Sequence, residues 1–135
     1  MSRENVDVVR RMCEAYVAGN LLESLEALHP EVIWHGTIGG LEEGRTYRGH
    51  GEVTEAFVES MRDWERHSLE AERYLDAGDS VVVLWHEIGH GKASGVRVET
   101  RTAVVYTVSE GKVVEAKGYM DRGAALEAVG LPGSG

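Results

Sequence analysis

The sequence predicts an α+β domain in which helices pack on one side of a curved antiparallel sheet, with an apolar pocket between them. Two changes of pattern carry this prediction. Apolar residues recur at spacings of three and four in the N-terminal half, and they alternate in the C-terminal half. A glycine-rich stretch holding Gly39, Gly40 and Gly44 falls within the first pattern and reads as a mobile loop at the mouth of whatever the fold encloses.

The first helix is expected over residues 5–17, where Val6, Val9, Met12, Cys13, Tyr16 and Val17 share a face and Gly19 supplies a stop. Leu21, Leu22, Leu25 and Leu28 make a second, short helix. It should stop at His29, because the residue before Pro30 disfavours helical angles. Val32, Ile33 and Trp34 read as a strand. Past the glycine-rich loop, a third helix is expected over residues 50–64, with Val53, Ala56, Phe57, Met61 and Trp64 on its apolar face.

From there the pattern is β. Three or four strands are expected, joined by turns at residues 76–79, 89–95 and 109–112. The clearest alternation runs over residues 96–108, where Val96, Val98, Thr100, Thr102, Val104, Tyr106 and Val108 should face the core. The opposite face is apolar at Ala103 and Val105, so part of the outer sheet surface should meet something. A homodimer contact is the simplest candidate. A last strand over residues 113–119 leads through Asp121 into a short helix that Gly130 ends.

Composition narrows the function classes. With 135 residues, the chain is expected to form a single domain over residues 1–135. No apolar run approaches the ~20 residues of a membrane span, and no secretory signal is visible, so a cytoplasmic location is expected. The net charge of −9 offers no basic stripe for nucleic acid. The single cysteine, Cys13, cannot form an internal disulfide or a multi-cysteine zinc site, and its neighbours suggest a buried helix face.

The residues His29-Pro30-Glu31-Val32-Ile33-Trp34, Tyr47-Arg48-Gly49-His50, Asp76-Ala77-Gly78-Asp79, Gly111-Lys112-Val113-Val114 and Tyr119-Met120-Asp121 carry a resemblance. With the order of elements, they resemble the SnoaL-like polyketide cyclase family of the nuclear transport factor 2-like superfamily. The resemblance implies a cone: a curved sheet wrapped around a long helix, leaving a cavity lined by both. Such folds host isomerases, hydrolases, cyclases and proteins without catalysis, so the fold does not choose a function.

Strand parity and the helix faces nominate the cavity lining: Tyr16, Trp34, Phe57, Trp64, Trp85, Tyr106 and Tyr119. Such walls suit a small apolar or aromatic ligand, although aromatics also fill cores. For chemistry, the resemblance points to Asp121, since an aspartate near the end of the last strand is the general base of SnoaL-like cyclases. Asp121 also stands where it would cap the following helix. Glu87 shares a face with Trp85 and is a second candidate acid or base, unless Arg101 or Lys117 pairs with it. His35 and His50 border the loop and could reach a ligand or serve structure alone.

The resemblance also shows gaps. The positions of the ketosteroid isomerase tyrosine, catalytic aspartate and buried proton-donating aspartate fall on Met12, Gly36 and near Val104. No cofactor and no metal are expected. His86-Glu87-Ile88-Gly89-His90 matches a zinc-protease pattern, but that chemistry needs a helix, and this stretch continues a β-branched strand. Two functions follow: a small enzyme (cyclase, isomerase or hydrolase) acting on an apolar carbonyl compound by acid–base catalysis, or a noncatalytic ligand-binding or accessory domain of the same shape.

Overall fold

The computed structural model describes residues 2–62 and 64–132, without the side chains of Ser2, Met61, Trp64, Glu65 and Arg66. The first helix, α1 (Ser2–Val17), buries Val9, Met12 and Cys13. Helix α2 (Leu21–Glu26) starts at Asn20, whose side chain accepts from the Glu23 N–H and donates to the Glu23 carboxylate at 2.8 Å.

This helix stops before Leu28, because the chain is drawn into the sheet there. The Ala27 carbonyl accepts the Val113 N–H at 2.8 Å, and Leu28 opens strand β1 (Leu28–Ile38). The strand is far longer than the three residues its β-branched centre predicts. Pro30 is tolerated because it lies in the register break between Leu28 and Ile33, where no ladder bond is required of it.

Strand β2 (Thr46–Arg48) pairs with the outer edge of β1 and leads directly into α3 (Gly49–Met61). The helix ends earlier than its apolar periodicity suggests. Trp64 belongs instead to strand β3 (Trp64–Ala77), where it pairs with Gly91 of β4 (Ser80–Gly91). Strands β5 (Arg97–Ser109) and β6 (Lys112–Tyr119) complete the sheet. Between them, Glu110 (φ 50°) and Gly111 (φ 77°) form a turn whose twist matches its flanking strands.

The six strands lie in the order β2-β1-β6-β5-β4-β3 and the sheet is curved and unclosed. All neighbouring pairs are antiparallel except β1 and β6, which run parallel because the chain returns from the far edge to the middle of the sheet. The concave face of β4 and β5 presents Val81, Val83, Trp85, Tyr106 and Val108 to α1 and α3. Val81 and Val83 are fully buried, and each contributes about 1.5–3 kcal/mol of hydrophobic stabilisation.

The convex face is not bare. The C-terminal helix α4 (Arg122–Ala128) lays Ala125 and Leu126 against Val82, Leu84, Ala103, Val105 and Tyr119. Helices therefore pack on both sides of the sheet, not on one. The apolar patch at Ala103 and Val105, which suggested a homodimer contact, is covered by the chain's own last helix. Arg122 fastens this helix by donating to the carbonyls of Trp85 and Thr102 at 2.8 and 3.1 Å and to Glu72 at 2.5 Å.

Gly36 fixes how the glycine-rich segment folds back. Its N–H donates to Arg45 O at 2.9 Å, and a Cβ at this position would fall 1.8 Å from the Glu42 carbonyl oxygen. Gly36→Ala should therefore displace residues 39–45 and cost at least about 2 kcal/mol in urea unfolding, whereas Gly44→Ala, where a Cβ meets nothing within 4 Å, should lose less.

Candidate functional site

A cavity of about 180 Å³ opens between the concave sheet face and the helices. Helix α1 contributes Met12, Cys13 and Tyr16, and α3 contributes Phe57. Across from them stand Trp34, Leu69, Trp85, Val104 and Tyr106 from β1, β3, β4 and β5. The rings form a connected wall: Tyr16 to Phe57 at 5.2 Å between centroids, Phe57 to Trp34 at 5.0 Å, and Trp34 to Tyr106 at 5.8 Å. The tilted and edge-on arrangements are those that the ring quadrupoles favour.

Among the described residues, Glu87 is the one carboxylate in this wall. Odd-numbered residues of β4 face inward, so Glu87 follows Val83 and Trp85 onto the concave face. It pairs with neither Arg101 nor Lys117. Its Oε2 is held by His67 Nε2 at 2.8 Å, and its Oε1 accepts from Thr100 Oγ1 at 3.4 Å. The Glu87 side chain keeps 40% of its exposure and His67 only 12%, so the carboxylate is reachable while its partner is fixed.

The hydroxyls around it are held neutral. Burial raises the Tyr16 phenol above its ordinary range, and the Glu87 charge adds to this. Tyr106 is pushed well up, chiefly by burial and further by the neighbouring Cys13. Cys13 itself is raised to about 12, chiefly by burial, which removes it as a nucleophile at neutral pH.

Residues 9–116 match the family model described as SnoaL-like domain. The chain is a member of the SnoaL-like domain family. Solved structures agree on the fold. The chain superimposes on TerC co-crystallised with polyporic acid at TM-score 0.74 and 20% identity, covering 93% of this chain and 98% of that one. A Jannaschia sp. CCS1 protein, provisionally named a SnoaL-like polyketide cyclase, gives TM-score 0.76 and 18% identity over 96% and 94%. A ketosteroid isomerase-like protein of Catenulispora acidiphila DSM 44928, in complex with trimethylamine, gives 0.70 and 16% over 95% of each chain. A search of curated proteins finds no match.

Against this SnoaL-like frame the expected residues divide. Tyr16, Trp34, Phe57, Trp85, Tyr106 and Glu87 come together at the cavity, whereas the Trp64 side chain lies outside the described residues. Tyr119 does not join them. Ala103 is its partner across β5 and β6 and faces outward, which turns Tyr119 to the convex side beneath α4.

Asp121 follows the same turn away from the cavity. It is exposed, and its Oδ1 accepts the N–H groups of Gly123 at 2.8 Å and Ala124 at 3.3 Å as the cap of α4. A base there would be on the wrong side of the sheet. His35 is bonded to Glu115 at 2.7 Å and His50 to the Leu28 carbonyl at 2.9 Å, and neither lines the cavity. Met12 and Val104 do line it, but as apolar groups, and Gly36 is buried in β1.

The zinc-protease pattern is on β4. Its histidines are spaced along a strand, about 13 Å apart by the ordinary rise per residue, too far to share a metal. His86 bonds to Glu99 on the convex face. Glu70, Glu72 and His86 bring ligand atoms within 4.8 Å of one another there, but Arg122 already neutralises Glu72 and holds its carboxyl below the ordinary range.

His67, which holds the Glu87 carboxylate, is the residue that the sequence reading missed. It shares strand parity with Leu69, which lines the cavity. Extending the third helix to Trp64 hid the start of β3 and with it that parity.

Two outcomes follow from these placements. Asp121→Ala should lower stability by about 1 kcal/mol through the lost cap, while Asp121→Asn should retain most of it, as thermal or urea melts would measure. Alkali should also unfold the protein progressively. Below about pH 8 both folded and unfolded chains keep the Cys13 and Tyr106 protons and their contribution to stability is complete; above it the unfolded chain releases first the thiol and then the phenol while the folded chain holds both, so stability falls as pH rises. In Cys13→Ala this fall should be shallower, measured as urea midpoints against pH.

Proposed function

We propose that this SnoaL-like protein is a cofactor-independent enzyme that moves a proton on a small apolar carbonyl compound, with Glu87 as the acid–base group. The observation that carries this reading is the reachable Glu87 carboxylate in a wall that is mainly aromatic and aliphatic, with Ser24, Thr37 and Thr102 as its uncharged polar members, and the bond that His67 makes to that carboxylate. Crystals of TerC with polyporic acid and of the Catenulispora acidiphila protein with trimethylamine support the idea that this fold accepts small molecules.

In the proposed reaction, Glu87 takes a proton from the carbon beside the carbonyl. The C–H electron pair moves into the new C=C bond, and the carbonyl π pair moves onto oxygen. Tyr16, protonated at neutral pH, donates a hydrogen bond to that oxygen as negative charge develops. His67 keeps the carboxylate aimed at the cavity. Where a C=C bond is conjugated with the enolate, return of the proton to its far carbon gives isomerisation; attack of the enolate carbon on a second carbonyl, whose oxygen takes the π pair and then the proton held by Glu87, gives ring closure.

Acetophenone tests the proton-transfer step. In deuterium oxide the protein should accelerate deuterium incorporation at its methyl group, followed by NMR, and Glu87→Gln should slow it at least about 100-fold. His67→Gln, which keeps a donor, should fall less. Wild-type exchange no faster than buffer, with acetophenone bound, would instead favour a noncatalytic binding domain.

A further inference from the structure

The cavity is too small to hold a complete drug-sized ligand. At about 180 Å³ it compares with engineered cavities of ~150 Å³ that admit benzene, whereas ligand pockets usually span ~300–1,000 Å³. A larger groove of about 690 Å³ continues from it, along the end of α1, α2, α3 and the start of β3. Tyr16, Phe57 and Leu69 belong to both walls, so the two spaces share one boundary.

Beyond that boundary the groove is lined by Val17, Leu21 and Val58, with Val17 and Val58 leaving 48% and 54% of their surface exposed. Its polar groups include His67 and Ser68. The 2.8 Å bond between His67 in the groove and Glu87 in the cavity therefore crosses the junction. Exposed apolar side chains aligned along one furrow from a cavity mouth form a surface that an apolar chain would cover.

We infer that the ligand has two parts: a single-ring head seated in the cavity and an apolar chain lying in the groove, with the carbonyl between them at the Glu87–His67 junction. This rests on the proposed role of Glu87 for the position of the carbonyl, but not for the division into head and chain. The substrate class is then an aryl or cycloalkyl ketone bearing an alkyl substituent. A second copy of the chain or a partner helix is the competing occupant of the groove.

Phenyl n-alkyl ketones from acetophenone to octanophenone separate these cases, with Kd read from quenching of tryptophan fluorescence. Affinity should rise about two- to fourfold per methylene until the groove is filled. Val58→Glu and Val17→Glu, both at exposed positions, should impose a penalty that grows with chain length. Equal affinity along the series, or a slope that neither substitution alters, would overturn the inference. So would sedimentation showing that Val58→Glu dissociates a dimer while the ketone series is unaffected. The series is repeated in Glu87→Gln: a retained slope without deuterium exchange supports the groove assignment and the proton-transfer role independently, a retained slope with exchange intact removes only the role of Glu87, and a flat series with wild-type exchange present removes only the groove assignment.

Discussion

A strand has two sides, and in β4 and β5 both are occupied. Val81, Val83 and Tyr106 belong to the concave core, and Val82, Leu84, Ala103 and Val105 to the cluster under α4. A slip of one residue would exchange the two sets. Glu87 would then leave the cavity and His86 would enter it. The position of Glu87 is thus set by the same parity that closes both hydrophobic layers, and neither can change alone.

Electrostatics add to this frame by keeping one charge among many neutral groups. Tyr16, Tyr106 and Cys13 hold their protons because ionising them would place charge in a largely apolar space. Glu87 differs from them in its exposure: 40% of its side chain stays accessible, and His67 holds one of its oxygens. The result is an asymmetric interior, with an acceptor at the mouth and neutral donors deeper along the aromatic wall. Directional proton transfer needs that asymmetry.

Much of this was legible in the sequence wherever a period could be counted. The alternation over residues 96–108 assigned Thr102, Val104 and Tyr106 to the concave face, and the parity of Trp85 carried Glu87 with it. The failures fall where local pattern does not determine the partner. Tyr119 and Asp121 shared the expected parity with Lys117, but which face that parity meant depended on the pairing of Ala103 with Tyr119 across two strands. Pro30 reads as the stop of a helix and residues 32–34 as the strand, yet β1 runs through both Pro30 and Gly36, because a register break absorbs one and close approach of the Glu42 backbone requires the other. Long-range pairing leaves little trace in a single segment, and His67 was lost for the same reason.

The attachment of α4 reaches further than its own packing. The Arg122 guanidinium binds the carbonyls of Trp85 and Thr102, two residues whose side chains form part of the cavity wall on the opposite surface. The sheet is a single layer of backbone at that point, so a tether on its back is one peptide's thickness from the cavity. Changes to the C-terminal helix therefore bear on the shape of the binding chamber, although no atom of that helix lines it.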